Sequence, residues 1–246
     1  MIVNSTRDGY RIITHYAHGL QAAQIAQYIK KEYRSKYWLE SLCAIIEHDD
    51  EQLNFERDNN VSQAGKPLDF TLIEPNPLDI LERCKRVMLH ARHRSGWVAL
   101  MIAQHLEFLH LDLARDDKRL KNFFNELHDL KKDIRATYKI NEPQSIEYYQ
   151  LVKFCDRCSL IISMQQVPSR GRKVEINNSI DGQTYFMSSS NNAINVQPWI
   201  FEPDEFQITT EVYEVPNTTF ANSSELQEYL LTHQPVLQTW QFHNTK

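Results

Sequence analysis

Long apolar runs are missing from this chain. No stretch approaches the ~20 residues that cross a bilayer, so no membrane partner is expected. Cysteine is scarce as well. Four among 246 residues do not make a disulfide framework, which points to a reducing, cytoplasmic compartment. The opening residues, Met1 to Arg7, lack the basic-then-apolar order of an export signal. Positive charge is not in surplus: 27 Lys and Arg stand against 32 Asp and Glu, a net charge of −5. That balance argues against a generic nucleic-acid binder, although a local basic groove is compatible with it. There is no glycine-rich phosphate loop, no nucleophile elbow and no internal repeat.

What remains is ordinary for a globular chain, with 41% hydrophobic and 24% charged residues. Its ten histidines are the one oddity, and most fall in the first two thirds. The hydrophobic spacing predicts a mainly α architecture of about six helices, with a short strand or hairpin at 1–14 and a small antiparallel β annex at the C-terminus. The helical domain spans 1–166 and the annex 174–246. The helices are expected near 15–33, 36–48, 77–94, 97–113, 117–138 and 142–166. Asn76-Pro77 and Asn141-Glu142-Pro143 each place a good cap and a proline at a helix start. Residues 50–76 read as a long irregular loop, broken by Gly65, Pro67 and Pro75. Past the break at Val167–Lys173, alternating runs at 173–176, 184–187 and 206–215 read as strands. Ser188–Asn192 reads as a turn, and a helix near 224–233 and a strand at 236–242 close the chain.

The stretch Ile45-Ile46-Glu47-His48-Asp49-Asp50 organises the site reading. Trp38, Leu42, Ile45 and Ile46 form a helical stripe that ends on the His-Asp pair. Successive side chains on a helix diverge by about 100°, so both can reach one ion only near a helix end. Neutral imidazole and anionic carboxylate together suit Zn, Mn or Fe. His18 lies on the stripe His18, Ala22, Ile25 and Ile29. Asp156 lies in the largely apolar segment Leu151–Ile162, on a stripe that turns small at Ser159 and Ser163 and would leave room beside it. Ionisable groups on buried faces are costly unless they are paired or bind metal. His105 shares a stripe with Val98, Ile102 and Leu109. Lys66 in the Gly65–Phe70 loop, and the basic set Arg83, Lys85, Arg86, Arg92 and Arg94, are candidates to meet phosphate. Cys155 and Cys158 read as core thiols, and His110 and His128 as surface residues.

The order His18, then His48-Asp49, then Asp156 on a late helix resembles the HD superfamily of metal-dependent phosphohydrolases. The Ala22–Ala26 turn, the Gly65–Phe70 loop, Ala103-Gln104-His105 and Asp156–Leu160 also resemble an uncharacterised bacterial branch of it that carries a C-terminal sheet annex. The resemblance implies an HD-like helical domain over about residues 10–166, with His18, His48, Asp49 and Asp156 as metal ligands. It places His105, with His90 and His93 next, at a second metal or the substrate phosphate. The cofactor would be a divalent transition metal (Mn, Fe, Zn, Ni or Co), as one or two ions. The expected activity is hydrolysis of a nucleotide or other small phosphorylated molecule by metal-activated water, with Asp49, His105 and Lys66 as catalytic candidates. Two alternatives stay open: an HD-type di-iron oxygenase and a non-catalytic metal-containing binding or regulatory module. A homo-oligomer is also left open.

Overall fold

The computed structural model describes residues 1–51, 55 and 60–245. The remaining part of the expected 50–76 loop, at 52–54 and 56–59, lies outside the described residues. The helical half follows the sequence pattern closely. Its helices are α1 (His15–Gln27), α2 (Trp38–Glu47), α3 (Pro77–Arg94), α4 (Gly96–His110), α5 (Lys118–Tyr138) and α6 (Glu142–Ser163). All their starts but that of α2 are fixed by side-chain caps that satisfy orphan amides. Thr14 accepts from the Ala17 amide ahead of α1, and Asn76 from the Leu78 and Asp79 amides ahead of α3. At α6, Asn141 and Gln144 form a reciprocal capping box. α1 is shorter than its apolar pattern suggests, stopping at Gln27 before a 3-10 turn at Lys31–Tyr33.

The sheet corrects the expected fold class. It is a large seven-stranded sheet, so the protein is α+β and not mainly α with a small annex. The strands are β1 (Ile2–Ser5), β2 (Gly9–Ile13), β3 (Val174–Ile180), β4 (Gln183–Ser190), β5 (Ala193–Gln197), β6 (Glu205–Pro216) and β7 (Val236–His243). Their order is β1-β2-β6-β7-β5-β4-β3. The physical reason is β6, which is 12 residues long and buries Phe206, Ile208, Thr210, Val212 and Val215. Such a strand has two long edges to pair. One takes β7, and the end of the other takes the N-terminal hairpin, with Gly9 opposite Pro216 and Ile12 opposite Tyr213. All neighbours are antiparallel except β5 and β7.

The expected turn at 188–192 shrinks to two residues. Ser188–Ser190 continue β4, and Asn191 and Asn192 alone turn the chain at φ +51° and +61°. Two successive left-handed residues suit the right-handed twist of a hairpin, and asparagine tolerates that region better than most residues. A helix, α7 (Ser223–Thr232), capped by Asn222, joins β6 to β7. The largest buried cluster is continuous from the helices to the sheet, including Ile25, Trp97, Phe154, Tyr185, Phe201 and Phe242. Among the described residues no helix is long and apolar enough to cross a membrane.

Candidate metal centre

Three helices bring the ligand candidates to one point. α1 packs on both α2 and α6. Gly19 permits the first contact: a Cβ added there would lie 2.1 Å from the Ile46 carbonyl oxygen. Only a glycine beside His18 lets α1 approach the end of α2 this closely. His48 is the C-cap of α2, and Asp49 lies in the turn beyond it. At this helix end both side chains reach the same point, with His48 Nε2 and Asp49 Oδ2 3.6 Å apart. Asp156 arrives from the middle of α6.

His18 Nε2 lies 3.2 Å from His48 Nε2, and both lie 3.2 Å from Asp156 Oδ1. Asp49 Oδ2 is 3.7 Å from His18 Nε2 and 3.6 Å from His48 Nε2. All four residues are buried, the two histidines at 0% exposure. Metal–ligand bonds of about 2.0–2.2 Å require neighbouring donors roughly 2.8–3.6 Å apart; His18, His48 and Asp156 match that spacing, and Asp49 Oδ2 stands at its upper edge. Together His18, His48, Asp49 and Asp156 could hold a metal ion.

The hydrogen bonds behind the rings fit the same conclusion. His48 Nδ1 lies 2.6 Å from the Ile45 carbonyl, which only accepts, so Nδ1 carries the proton. His18 Nδ1 lies 2.7 Å from Ser159 Oγ. The Ser159 hydroxyl also faces the His18 carbonyl and Gln21 Oε1, at 3.0 and 2.7 Å, so it donates there and accepts from the ring. In the neutral rings both Nε2 atoms then present lone pairs to each other and to a carboxylate. That arrangement is repulsive unless a cation or a shared proton sits between them. Burial alone would lower the His48 pKa, but the Asp49 and Asp156 carboxylates outweigh it and raise it to about 9. Burial would raise the two aspartates, and the His48 ring foremost holds both below the usual carboxylate range.

His105 stands at the margin. It is 1% exposed, its Nε2 lies 3.9 Å from Asp49 Oδ1, and its Nδ1 lies 3.2 Å from the Tyr149 hydroxyl. Among the described residues its Nε2 has no hydrogen-bond partner. Lys66 is not brought to the cluster: its ammonium donates to Asn217 Oδ1 and the Thr218 carbonyl, each at 2.9 Å. His90 and His93 lie on the exposed side of α3. Ser159 does not leave room beside Asp156, because it binds the back of His18. Cys155 and Cys158 are buried free thiols.

Two histidines were missed. His15, one turn before His18 on α1, is 2% exposed and lines a cavity of 290 Å³. His110, expected on the surface, is half-buried in the same cavity and accepts from Arg83 Nη2 at 2.8 Å. Burial and then the Arg83 charge lower the His110 pKa to about 4, so it stays a neutral acceptor. The spacing of His15 and His18, three apart and hence on one helical face, is the signal by which the first could have been found.

A family model described as a protein of unknown function, DUF3891, matches residues 1–217. The chain belongs to the DUF3891 family. That match covers the whole stretch from His18 to Asp156 and corrects the resemblance to the HD superfamily, which is not the family found. No curated protein and no solved structure matches the chain. What DUF3891 membership leaves open, only the geometry of the site addresses.

Proposed function

We propose that this chain is a metal-dependent hydrolase of a small phosphoester. The observation that carries the reading is the convergence of His18, His48, Asp49 and Asp156, buried and from three helices, at metal-ligand spacing. Two imidazoles and two carboxylates form a mixed nitrogen and oxygen donor set, which favours a divalent transition metal such as Mn, Fe, Zn, Ni or Co. A bound ion of this kind lowers the pKa of water and polarises a phosphoryl oxygen.

The chain's own residues supply the rest. Asp49 turns Oδ2 to the ligand cluster and Oδ1 toward His105. Tyr149 holds the far nitrogen of the His105 ring. Burial pushes the tyrosine pKa up, so its hydroxyl stays protonated. We assign to His105 Nε2 the handling of the proton that leaves the attacking water, relayed along the carboxylate of Asp49. Lys66, already bonded to the Asn217–Thr218 segment, has no role in this scheme.

The test has two readouts. Elemental analysis of protein purified without chelator should find a transition metal at about one ion per chain or more. Turnover of a phosphoester panel should fall by at least a hundredfold in Asp49→Ala while far-UV dichroism stays helical, since removing a metal-held carboxylate strikes the site before the core. Metal-free wild-type protein, or full turnover in folded Asp49→Ala, defeats the reading.

A further inference from the structure

The cavity beside the cluster carries groups the scheme above leaves unused. His15 lines it and shares a helical face with His18, and Glu51, two residues after Asp49, lines it too. His15 is three residues from the ligand candidate His18, and Glu51 two from Asp49, so both cavity residues sit on the segments that carry the cluster. Cavity and cluster are therefore neighbours. Arg83 is only 8% exposed, a burial seldom seen for arginine without full pairing. Its Nη2 donates to His110, yet its Nη1 is buried with no hydrogen-bond partner among the described residues. His15 Nε2 is in the same condition. Leaving a buried charged donor unmatched costs about 1–3 kcal/mol or more, so Arg83 Nη1 marks the place of an absent acceptor, while the neutral His15 ring beside it offers one further polar atom.

The remaining charges narrow what that acceptor is. Arg86 also lines the cavity but is already engaged by Glu51, at 3.1 Å. Glu51 reaches it because the chain turns there at φ +64°. Glu74 and Asp79 stand at the same cavity. Three carboxylates against two guanidinium groups repel a polyanion, so attraction for an anion is local to Arg83. A volume of 290 Å³ falls at the small end of ligand pockets, which run from about 300 to 1,000 Å³. Phe70, Ile73, Ile80 and Leu109 supply an apolar wall.

We propose that this cavity is the substrate subsite, that Arg83 is its anion-recognising residue, and that the substrate is a small monophosphate ester with a compact, largely apolar organic part. This rests on the hydrolase reading for the chemistry but not for the binding. The planar guanidinium fork of Arg83 matches two phosphate oxygens. His110 is a positioning residue that holds Nη2 and leaves Nη1 for the ligand.

The experiment titrates full-length protein with inorganic phosphate, with malonate as the carboxylate comparison. Binding is followed by phosphorus NMR line broadening and by the thermal midpoint, in chelated and in metal-supplied samples. Phosphate should bind saturably in both, and more tightly than malonate. Arg83→Gln should weaken it at least tenfold without changing metal content. Arg83→Lys keeps the charge but not the fork, and should weaken it at least threefold even if the glutamine variant does not fold. Equal phosphate affinity in a folded Arg83 variant, preference for malonate, or no phosphate binding by wild type overturns the subsite. The two readings fail separately. Chelated protein that binds phosphate through Arg83 but never takes up metal defeats the hydrolase alone. Metal-loaded protein indifferent to phosphate defeats the subsite alone.

Discussion

His18 and His48 are as buried as His15 and His105, and in all four rings Nδ1 is held by the protein, yet the two pairs differ at Nε2. In the first pair each Nδ1 is committed to the protein, to Ser159 and to the Ile45 carbonyl, and the Nε2 atoms converge. In the second pair each Nε2 is buried without a hydrogen-bond partner among the described residues. Burial by itself does not say what a histidine does. The atom behind the ring decides which nitrogen is available and where it points. The cluster rings turn Nε2 to each other and to Asp156, whereas His15 stands at the neighbouring cavity and His105 turns Nε2 toward the far oxygen of Asp49.

The harshest way to break this contrast is Asp156→Asn, which keeps the shape and removes one of two anionic ligands. Metal affinity should fall at least a hundredfold, and the rise in thermal midpoint on adding metal to chelated protein should vanish, because stabilisation by a ligand follows its affinity for the folded state. Elemental analysis together with thermal scans reads both. Wild-type metal content in the variant would show that the four residues do not act as one centre.

Gly19→Ala attacks the same cluster through the backbone. Its new Cβ would meet the Ile46 carbonyl at 2.1 Å, so α1 and α2 must separate. We expect a loss of about 1–3 kcal/mol in stability, as for other overpacked positions, with metal affinity falling in parallel as His18 and His48 move apart. Denaturant unfolding and metal titration measure the two effects. An unaltered midpoint would mean that the close approach is not what sets the site.

These contrasts also show why parts of the molecule were legible in the sequence and others were not. His18 and Asp156 stood out because each is ionisable on an otherwise apolar helical face, and such a face buries as a unit. The helix starts at Pro77 and Glu142 were legible from their caps, which act within four residues. The size of the sheet was not. β6 takes partners from both ends of the chain, and pairing across such a separation leaves no local periodicity to read. β5 offers only Ile194 and Val196 between polar residues, too short an alternation to separate from a turn. Arg83 sat in a basic run with Lys85 and Arg86. Only tertiary packing buries Arg83, pairs Arg86 with Glu51 and turns Lys85 to a different surface.

The smallest expected effect sharpens the comparison most, because it leaves every proposed metal ligand in place. Ser159→Ala removes the oxygen that accepts from His18 Nδ1 at 2.7 Å and nothing that would touch the ion. Without it the His18 ring is free to change tautomer or rotate, and loss of such an outer partner typically costs 10–100-fold in metal affinity. Ser163→Ala is the matched control. Ser163 lies one turn further on α6 and donates to Gln21 Oε1 at 2.8 Å, in the same small network, but the hydrogen bonds of its hydroxyl do not include His18. Metal titration of the two variants should give a weakened Ser159→Ala and a Ser163→Ala close to wild type, with similar helical content in both. Equal losses would assign the effect to packing of the Gln21 network. A loss confined to Ser159→Ala would assign it to the aim of one ring, whose Nε2 then no longer meets His48 and Asp156.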